Sequence, residues 1–383
     1  MSPQVSFVVP CYRLAHLLQQ CVDSILSQSY DDFEVLIMDD CSPDDTAAVA
    51  RSITDPRVRH VRQRENVGHL RNYNAGIRMA RGKYIWLVSA DDYLIASGAL
   101  ERYVRVLDAH PSVGFVFSPA IKLDSAGTQR VAASHGPSDW IRPGHDFLPI
   151  LLRANCVPAS GALARKSCYI DAGCFPLDLP HAGDWYLWCR FALSADVAYV
   201  AEPAVVYRQH DNNMSKDFER RRVPLVADEL AVRWRMERLF DEAGLQGLSR
   251  ECRTQQTYDC AKRLVQTGDG GWPVRMTLAE LERLLQRYCA SAADRVRTRA
   301  AVFAAAGDAC YDASDAEAGR LWYGAALRCA PWMPRTILKY LLVRCGSTGI
   351  VLRRWITTTR TPSAVNGRDD LPRVLATGIS NRH

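Results

Sequence analysis

Several residues in the first 215 positions have the types and spacing that chemistry needs. Asp91 and Asp92 are adjacent and close an apolar run over residues 84–88. Two ionised carboxylates are costly to bury in such a place. A divalent cation relieves that cost: Mg²⁺ or Mn²⁺ takes one or two carboxylates and fills its shell with phosphate oxygens and water. The same pair could instead cap the segment that follows. Asp39 and Asp40 close a second apolar run, 33–38, just before Ser42 and Pro43. They can make a turn, or one of them can accept the imide hydrogen of a pyrimidine base. Tyr12, three residues past Val9, could lend such a base a ring face. Arg71, with Asn72 and Asn74, follows Asn66-Val67-Gly68. An arginine beside free helix N–H groups suits a diphosphate, and an exposed helical arginine is the plainer alternative. Asp184 enters an aromatic segment through Gly183-Asp184-Trp185, as a helix cap or a general base. His210 ends Tyr207-Arg208-Gln209-His210, and a lone histidine is more often satisfied locally than a metal ligand.

The elements that must hold these residues follow from hydrophobic periodicity. Strands are expected over 5–9, 33–38, 58–63 and 84–88, and helices over 16–28, 46–52 and 70–80, with Gly82 as the C-terminal glycine of the last. Strands alternating with helices imply βαβ units and a parallel sheet, whose ligands collect at the carboxyl ends of the strands. Tyr12, Asp39-Asp40 and Asp91-Asp92 each follow a strand, so they fall on one sheet edge. Further on, the spacing predicts a helix over 100–107, a strand over 113–118, a loop over 124–143 rich in Gly, Ser and Pro, and helices over 147–153 and 185–193. Short strands follow at 197–200 and 205–209. Beyond 217 the pattern is helical: 225–242, 248–266, 278–289 and 292–306, broken at residues 268–271. Residues 301–342 space Ala305, Gly307, Tyr311, Ala318, Tyr323, Ala326, Leu327 and Pro331 like one tetratricopeptide-like helix pair.

The 383 residues suggest two domains, and a hydrophobic share of 48% with 23% charged residues supplies an ordinary globular core. A net charge of +6 falls short of a dedicated nucleic-acid binder. It suits an anionic substrate or transient contact with an anionic membrane surface. The thirteen cysteines are scattered, odd in number and without a CxxC pair. They read as reduced thiols of a cytoplasmic protein rather than a disulfide framework. Neither a signal peptide nor a transmembrane run is expected. No GxGxxG, Walker A or GxSxG motif is present.

Taken in order, Val8-Val9-Pro10-Cys11-Tyr12, Ile37-Met38-Asp39-Asp40-Cys41-Ser42-Pro43-Asp44-Asp45-Thr46, Asn66-Val67-Gly68, Ser89-Ala90-Asp91-Asp92, Gly183-Asp184-Trp185-Tyr186-Leu187-Trp188 and Tyr207-Arg208-Gln209-His210 resemble the inverting family-2 glycosyltransferases of GT-A fold. The likeness covers about residues 4–215. It implies an α/β, Rossmann-like, mostly parallel sheet flanked by helices, followed by an all-α region. It further implies Mn²⁺ or Mg²⁺ and transfer of a sugar from a nucleotide-diphosphate donor (UDP- or dTDP-linked) to a hydroxyl acceptor. That acceptor is a carbohydrate, a lipid-linked molecule or a small molecule, in glycan or glycoconjugate synthesis.

Carried over position by position, the resemblance puts Pro10, Tyr12, Asp40, Asn66, Gly68, Arg71 and Asp91 around the nucleotide. Tyr12 and Asp40 hold the base, and Asp91 touches the ribose or the metal-bound phosphate. Asp92 ligates the metal, His210 completes the metal or diphosphate site, and Asp184 is the catalytic base. Many relatives carry an acid directly before that base where this chain has Gly183, so a helper carboxylate there is in doubt. Two other readings stay open: a nucleotidyltransferase, and a degenerate transferase domain that binds a partner. The expected domains are 1–215 for catalysis, 216–345 for the helices, and a partly disordered tail over 346–383. The helices could position a lipid-linked acceptor or pair two copies of the chain. The mixed basic and apolar run 351–356 would suit the inner face of a cell membrane.

Overall fold

The structure is a computed structural model that describes residues 2–210, 213–214, 222–265, 276–313 and 315–344. It divides into two compact units, Met1–Asp259 with Asp269–Met276, and Cys260–Gly268 with Thr277–His383. The expected tail and the run 351–356 lie outside the described residues.

The first unit opens as the alternation predicts. It contains β1 (Val5–Cys11), α1 (Ala15–Leu26), β2 (Phe33–Asp39), α2 (Thr46–Ser52), β3 (Val58–Arg62), α3 (His69–Met79) and β4 (Tyr84–Leu87). β1 and β2 are buried along their whole length, as parallel strands covered on both faces must be. After β4 come β5 (Tyr93–Leu94), α4 (Ala99–Ala109), β6 (Val113–Phe117), β7 (Ala120–Leu123), β8 (Gln129–Ala132), β9 (Trp140–Arg142) and α5 (Gly144–Leu151). Next are a short 3₁₀ turn (Ala159–Gly161), β10 (Ala162–Arg165), α6 (Lys166–Asp171), α7 (Gly183–Ser194), β11 (Asp196–Tyr199) and β12 (Val205–Arg208). Eight strands form one sheet in the order β3-β2-β1-β4-β10-β6-β11-β9, and β5-β12-β7-β8 form a second. β10 runs antiparallel between β4 and β6, so its start meets the carboxyl end of β4.

Two expectations need correction. Residues 124–143 are not all loop, because β8 pairs with β7 as a hairpin. Its turn is closed by Asp124, whose carboxylate accepts from Ala126 N and Thr128 N, and by Gly127 at φ +81°. β8 is largely exposed, so no alternating pattern marks it in the sequence. Gly82 is not a left-handed helix cap either. A Cβ there would sit 2.6 Å from Ser6 N and 2.7 Å from Val5 C, so Gly82 is needed for a close backbone approach to β1.

Two helices beyond β12, α8 (Arg222–Glu242) and α9 (Gln246–Val265), contribute their residues up to Asp259 to the first unit. Arg233, 1% exposed, fixes α8 there. It donates to Leu152 O at 2.7 Å and Arg153 O at 2.8 Å, pairs with Asp259 at 2.5 Å and lies 4.8 Å over the Trp185 ring.

The second unit is helical: α10 (Leu278–Tyr288), α11 (Ala292–Asp312), α12 (Ala316–Cys329) and α13 (Pro334–Arg344). Thr277 and Glu280 form a reciprocal capping box at α10. α11 and α12 pack tightly where Gly307 faces Tyr323, since a Cβ on Gly307 would meet that ring at 2.6 Å. All cysteines among the described residues are free.

Candidate active site

The carboxyl ends of β1, β2 and β4 are tied into one rim by backbone hydrogen bonds. Pro10 O accepts from Ala90 N at 3.1 Å, and Cys11 O accepts from Asp40 N at 3.0 Å. Pro10 thereby orients the turn carrying Asp91 and Asp92, although it has no N–H to give the sheet. Tyr12 stands beyond β1, 42% exposed, with the Arg13 guanidinium 5.7 Å over its ring. Arg13 and Cys41 adopt left-handed backbone, at φ +62° and +58°, so both strand exits carry the strain common at functional turns.

The two acids at the end of β2 divide their work. Asp39 is fully buried and structural: it accepts from Ser42 N at 2.8 Å and Arg62 Nη1 at 2.7 Å, and lies 3.3 Å from His60 Nε2. Asp40 accepts from Val67 N at 2.8 Å and Gly68 N at 3.0 Å, while Asn66 Nδ2 donates to its carbonyl. Gly68, at φ +84°, turns the chain into α3. Asn66, Gly68 and Asp40 are therefore one assembly. Arg71 is exposed on α3. Asn72 and Asn74 are buried and bond Met38 O and the Phe175 backbone.

The acids after β4 also differ. Asp91 Oδ2 lies 3.2 Å from His210 Nε2 and accepts from Asn213 Nδ2 at 3.1 Å. Burial raises its pKa, but the bond to His210 outweighs this with the help of other partners and holds it below the ordinary value. Asp92 is deeper. Its Oδ2 accepts from Ser160 Oγ at 2.6 Å and its Oδ1 from Arg208 N at 3.2 Å. Burial, then the adjacent Asp91 charge, push it well above the ordinary range. Arg208 braces the turn, donating to Asp91 O at 2.6 Å with its guanidinium 4.5 Å over Tyr93. Asp92, expected as the cation ligand, thus has both oxygens committed inward, while Asp91 is the acid that meets His210. Among the described residues no group of three or more His, Cys, Asp or Glu side chains is arranged to hold a metal.

Asp184 opens α7. Its Oδ1 accepts from Trp185 N at 2.7 Å and its Oδ2 from Asn155 Nδ2 at 3.0 Å. Burial pushes its pKa above the ordinary value, which makes it a better proton acceptor than an exposed aspartate. Gly183 stands directly before it, and a Cβ there would approach Phe175 Cδ1 at 3.2 Å, so that ring would have to give by a few tenths of an ångström.

The charges of four of these carboxylates are felt at one side chain. Tyr73, on α3, is raised in pKa by burial and then by the charges of Asp91, Asp184, Asp92 and Asp40. Ser160, Asn155 and Asn213 bond these acids but were not singled out from the sequence, where Arg208 figured only as part of the motif that ends at His210. Ser160 precedes a strand that runs backwards, and Asn155 lies in an irregular stretch, so neither follows a strand as the rim rule requires.

The model of the family described as "Glycosyl transferase family 2" matches residues 6–161. An uncharacterized Mycobacterium tuberculosis protein is 30% identical over 217 residues, covering 54% of this chain and 67% of its own. The succinoglycan biosynthesis protein ExoO of Rhizobium meliloti is 38% identical over 107 residues, 28% of this chain and 30% of that one. The chain thus spans under a third of ExoO. Residues 1–349 of S. aureus TarS share the fold at a TM-score of 0.57 and 16% identity, over 84% of this chain and 90% of that one. A structure of the same protein with UDP-GlcNAc superposes at 0.53. With the ordered motifs, the parallel sheet and the acid-lined rim they hold, the chain belongs to glycosyl transferase family 2 and is a glycosyltransferase of GT-A fold.

Proposed function

We propose that the enzyme moves a sugar from a nucleotide diphosphate, UDP- or dTDP-linked, onto an acceptor hydroxyl with inversion at the anomeric carbon. The observation that carries this is the rim where backbone bonds join the exits of β1, β2 and β4, bringing Asp40 and the Asp91–His210 pair to one sheet edge. Tyr12 and Asp40 bind the base, with Pro10, Asn66 and Gly68 shaping that pocket and Arg71 reaching the diphosphate. The UDP-GlcNAc complex of TarS makes a nucleotide sugar the natural donor class.

Mn²⁺ or Mg²⁺ fits a sparse donor set that leaves room for phosphate oxygens and water. On this reading Asp91 and His210 would hold it, in place of Asp92 and His210, because the Asp92 oxygens serve Ser160 and Arg208. Such a cation would supply charge neutralisation for the departing diphosphate. Asp92 keeps the turn in place. Asp184 takes the acceptor proton as the hydroxyl attacks from the face opposite the leaving group, and Asn155 holds Asp184 in orientation. A positioned base contributes about 10²–10⁴-fold.

The test is a screen of UDP- and dTDP-sugars with Mn²⁺, following nucleoside diphosphate release and the anomeric configuration of the product. Asp184→Asn should lose transfer while keeping nucleotide binding. Near-normal transfer by that variant removes the base assignment, and pyrophosphate as the released product removes the sugar-transfer reading. No helix among the described residues is long and apolar enough to cross a membrane. A lipid-linked acceptor and pairing of copies through the C-terminal helices stay proposals.

A further inference from the structure

The segments that carry Asp184 and Asn155 are both fastened by α8, which lies beyond the residues that the family model matches. The buried Arg233 of this helix reaches two separate stretches of chain. Its Nε donates to Leu152 O at 2.7 Å and its Nη2 to Arg153 O at 2.8 Å. Those carbonyls lie just past the last residue of α5, where C=O groups lack intrahelical partners and favour a cation. Asn155 follows two residues later. The same guanidinium lies 4.8 Å over the ring of Trp185, the residue after Asp184, and Trp185 Nε1 donates to Leu151 O at 2.7 Å. Asp259 on α9 meets the remaining arm, Nη1, at 2.5 Å.

Asn155 is exposed and lies in a stretch without regular structure, so its own packing does not place it. The next hold on that stretch comes after it, where Cys156 O lies 3.2 Å from His135 Nε2. Yet Asn155 Nδ2 is 3.0 Å from Asp184 Oδ2. Such a pair keeps its geometry only if its two segments are held to within about 0.5 Å, and Arg233 touches both. Asp184 takes its bonds from Asn155 and from Trp185 N, so the guanidinium acts on it through these neighbours. Tyr73 on α3, Tyr169 on α6 and Cys189 on α7 also feel the Asp184 charge, and burial keeps all three protonated.

We propose that Arg233 is a positioning residue for transfer: by clamping the end of α5 to the Trp185 ring it sets Asn155 against Asp184, and so orients the base toward the acceptor hydroxyl. This rests on the reading of Asp184 as the base. It makes the acceptor-side assembly depend on α8 and α9, whereas the bonds that shape the Asp40 turn lie within residues 11–68.

Arg233→Met would leave the buried Asp259 charge unpaired, which is strongly destabilising. The test therefore uses Arg233→Lys, which keeps the charge but has no fork to span two carbonyls. The assay is hydrolysis of the UDP- or dTDP-sugar that the screen above turns over with Mn²⁺, water standing in for the acceptor hydroxyl. Profiles of kcat against pH, with donor KM in parallel, compare wild type, Asn155→Ala, Arg233→Lys and the double variant. Arg233→Lys should displace the ascending limb upward by about 0.5–1 pH unit, part of the worth of a hydrogen bond to a charged group, and leave donor KM unchanged. In the Asn155→Ala background it should displace the limb no further, because the two residues act through one contact. Trp185→Phe loses the indole bond to Leu151 O, keeps the Asp259 pair and should repeat that pattern. A lowered unfolding midpoint with the limb unmoved in both single variants marks a purely structural role and overturns the proposal. A displacement that adds in full to that of Asn155→Ala overturns it too, and either result spares the base. Near-normal turnover by Asp184→Asn, or a wild-type chain that turns over none of the screened donors, brings down the functional reading and this proposal with it.

Discussion

Trp86 is the side chain whose truncation should most directly link core stability to the site. It is fully buried in β4, stacked between Phe7 at 5.4 Å and Tyr103 at 4.8 Å. Its Nε1 donates to Ser160 O at 2.8 Å, and Ser160 in turn holds Asp92. Trp86→Phe keeps one ring in the stack but removes that donor. The orphaned, buried Ser160 carbonyl costs about 1–3 kcal/mol. The unfilled part of the indole site adds about 1–2 kcal/mol, since such a core collapses only partly. Together this is about 2–5 kcal/mol, a large share of the ~5–15 kcal/mol that holds a typical domain. The expected drop in unfolding midpoint is roughly 5–15 °C for a unit of this size. Urea unfolding followed by circular dichroism, with wild type and variant at equal slope, measures it. A loss under about 1 kcal/mol would refute the idea that this bond anchors the turn before β10. Transfer per folded molecule should also fall, because Ser160 loses its fixed position under Asp92.

Other outcomes follow from single contacts. Asp184 must be ionised to accept a proton and burial raises its pKa, so kcat should rise with pH through a limb above 3.8, the ordinary aspartate value. Asn155→Ala removes a bond that favours the ionised form, so a kcat–pH profile should show that limb displaced to higher pH. A limb that stays put denies Asn155 its role. Gly144→Ala would place a Cβ 2.0 Å from Ala192 O and 2.1 Å from Ala195 O. It should destabilise the α5–α7 packing by more than the ~1–3 kcal/mol usual for overpacking, read as a lowered midpoint in thermal unfolding. Gly307→Ala meets the Tyr323 ring instead. The expected cost is about 1–3 kcal/mol in the second unit, with nucleotide affinity in titration calorimetry left unchanged.

Much of the rim was legible because parallel strands deliver the residues that follow them to one edge. Tyr12, Asp40 and Asp91 needed only the alternation of strand and helix to be placed. The division of labour inside each acidic pair was not legible. Whether Asp91 or Asp92 looks outward depends on Ser160 and Arg208, 68 and 116 residues away in the chain. Nothing local to Asp92 announces them. The β7–β8 hairpin was missed because an exposed strand needs no alternating pattern to be stable once its neighbour is in place. Gly82 was misread because a close backbone approach and a left-handed cap ask for the same residue.

β10 carries a last consequence. Because it runs against its neighbours, the chain reaches the rim on the way into this strand, at Ser160, rather than on the way out. On the proposed reading, nucleotide-side groups come from strand exits, and Asn155, which holds the proposed base, comes from the stretch ahead of β10. Lengthening the stretch ahead of β10 could therefore reshape the acceptor side without shifting the register of β1, β2 or β4, so this scaffold could change what it glycosylates while keeping what it spends.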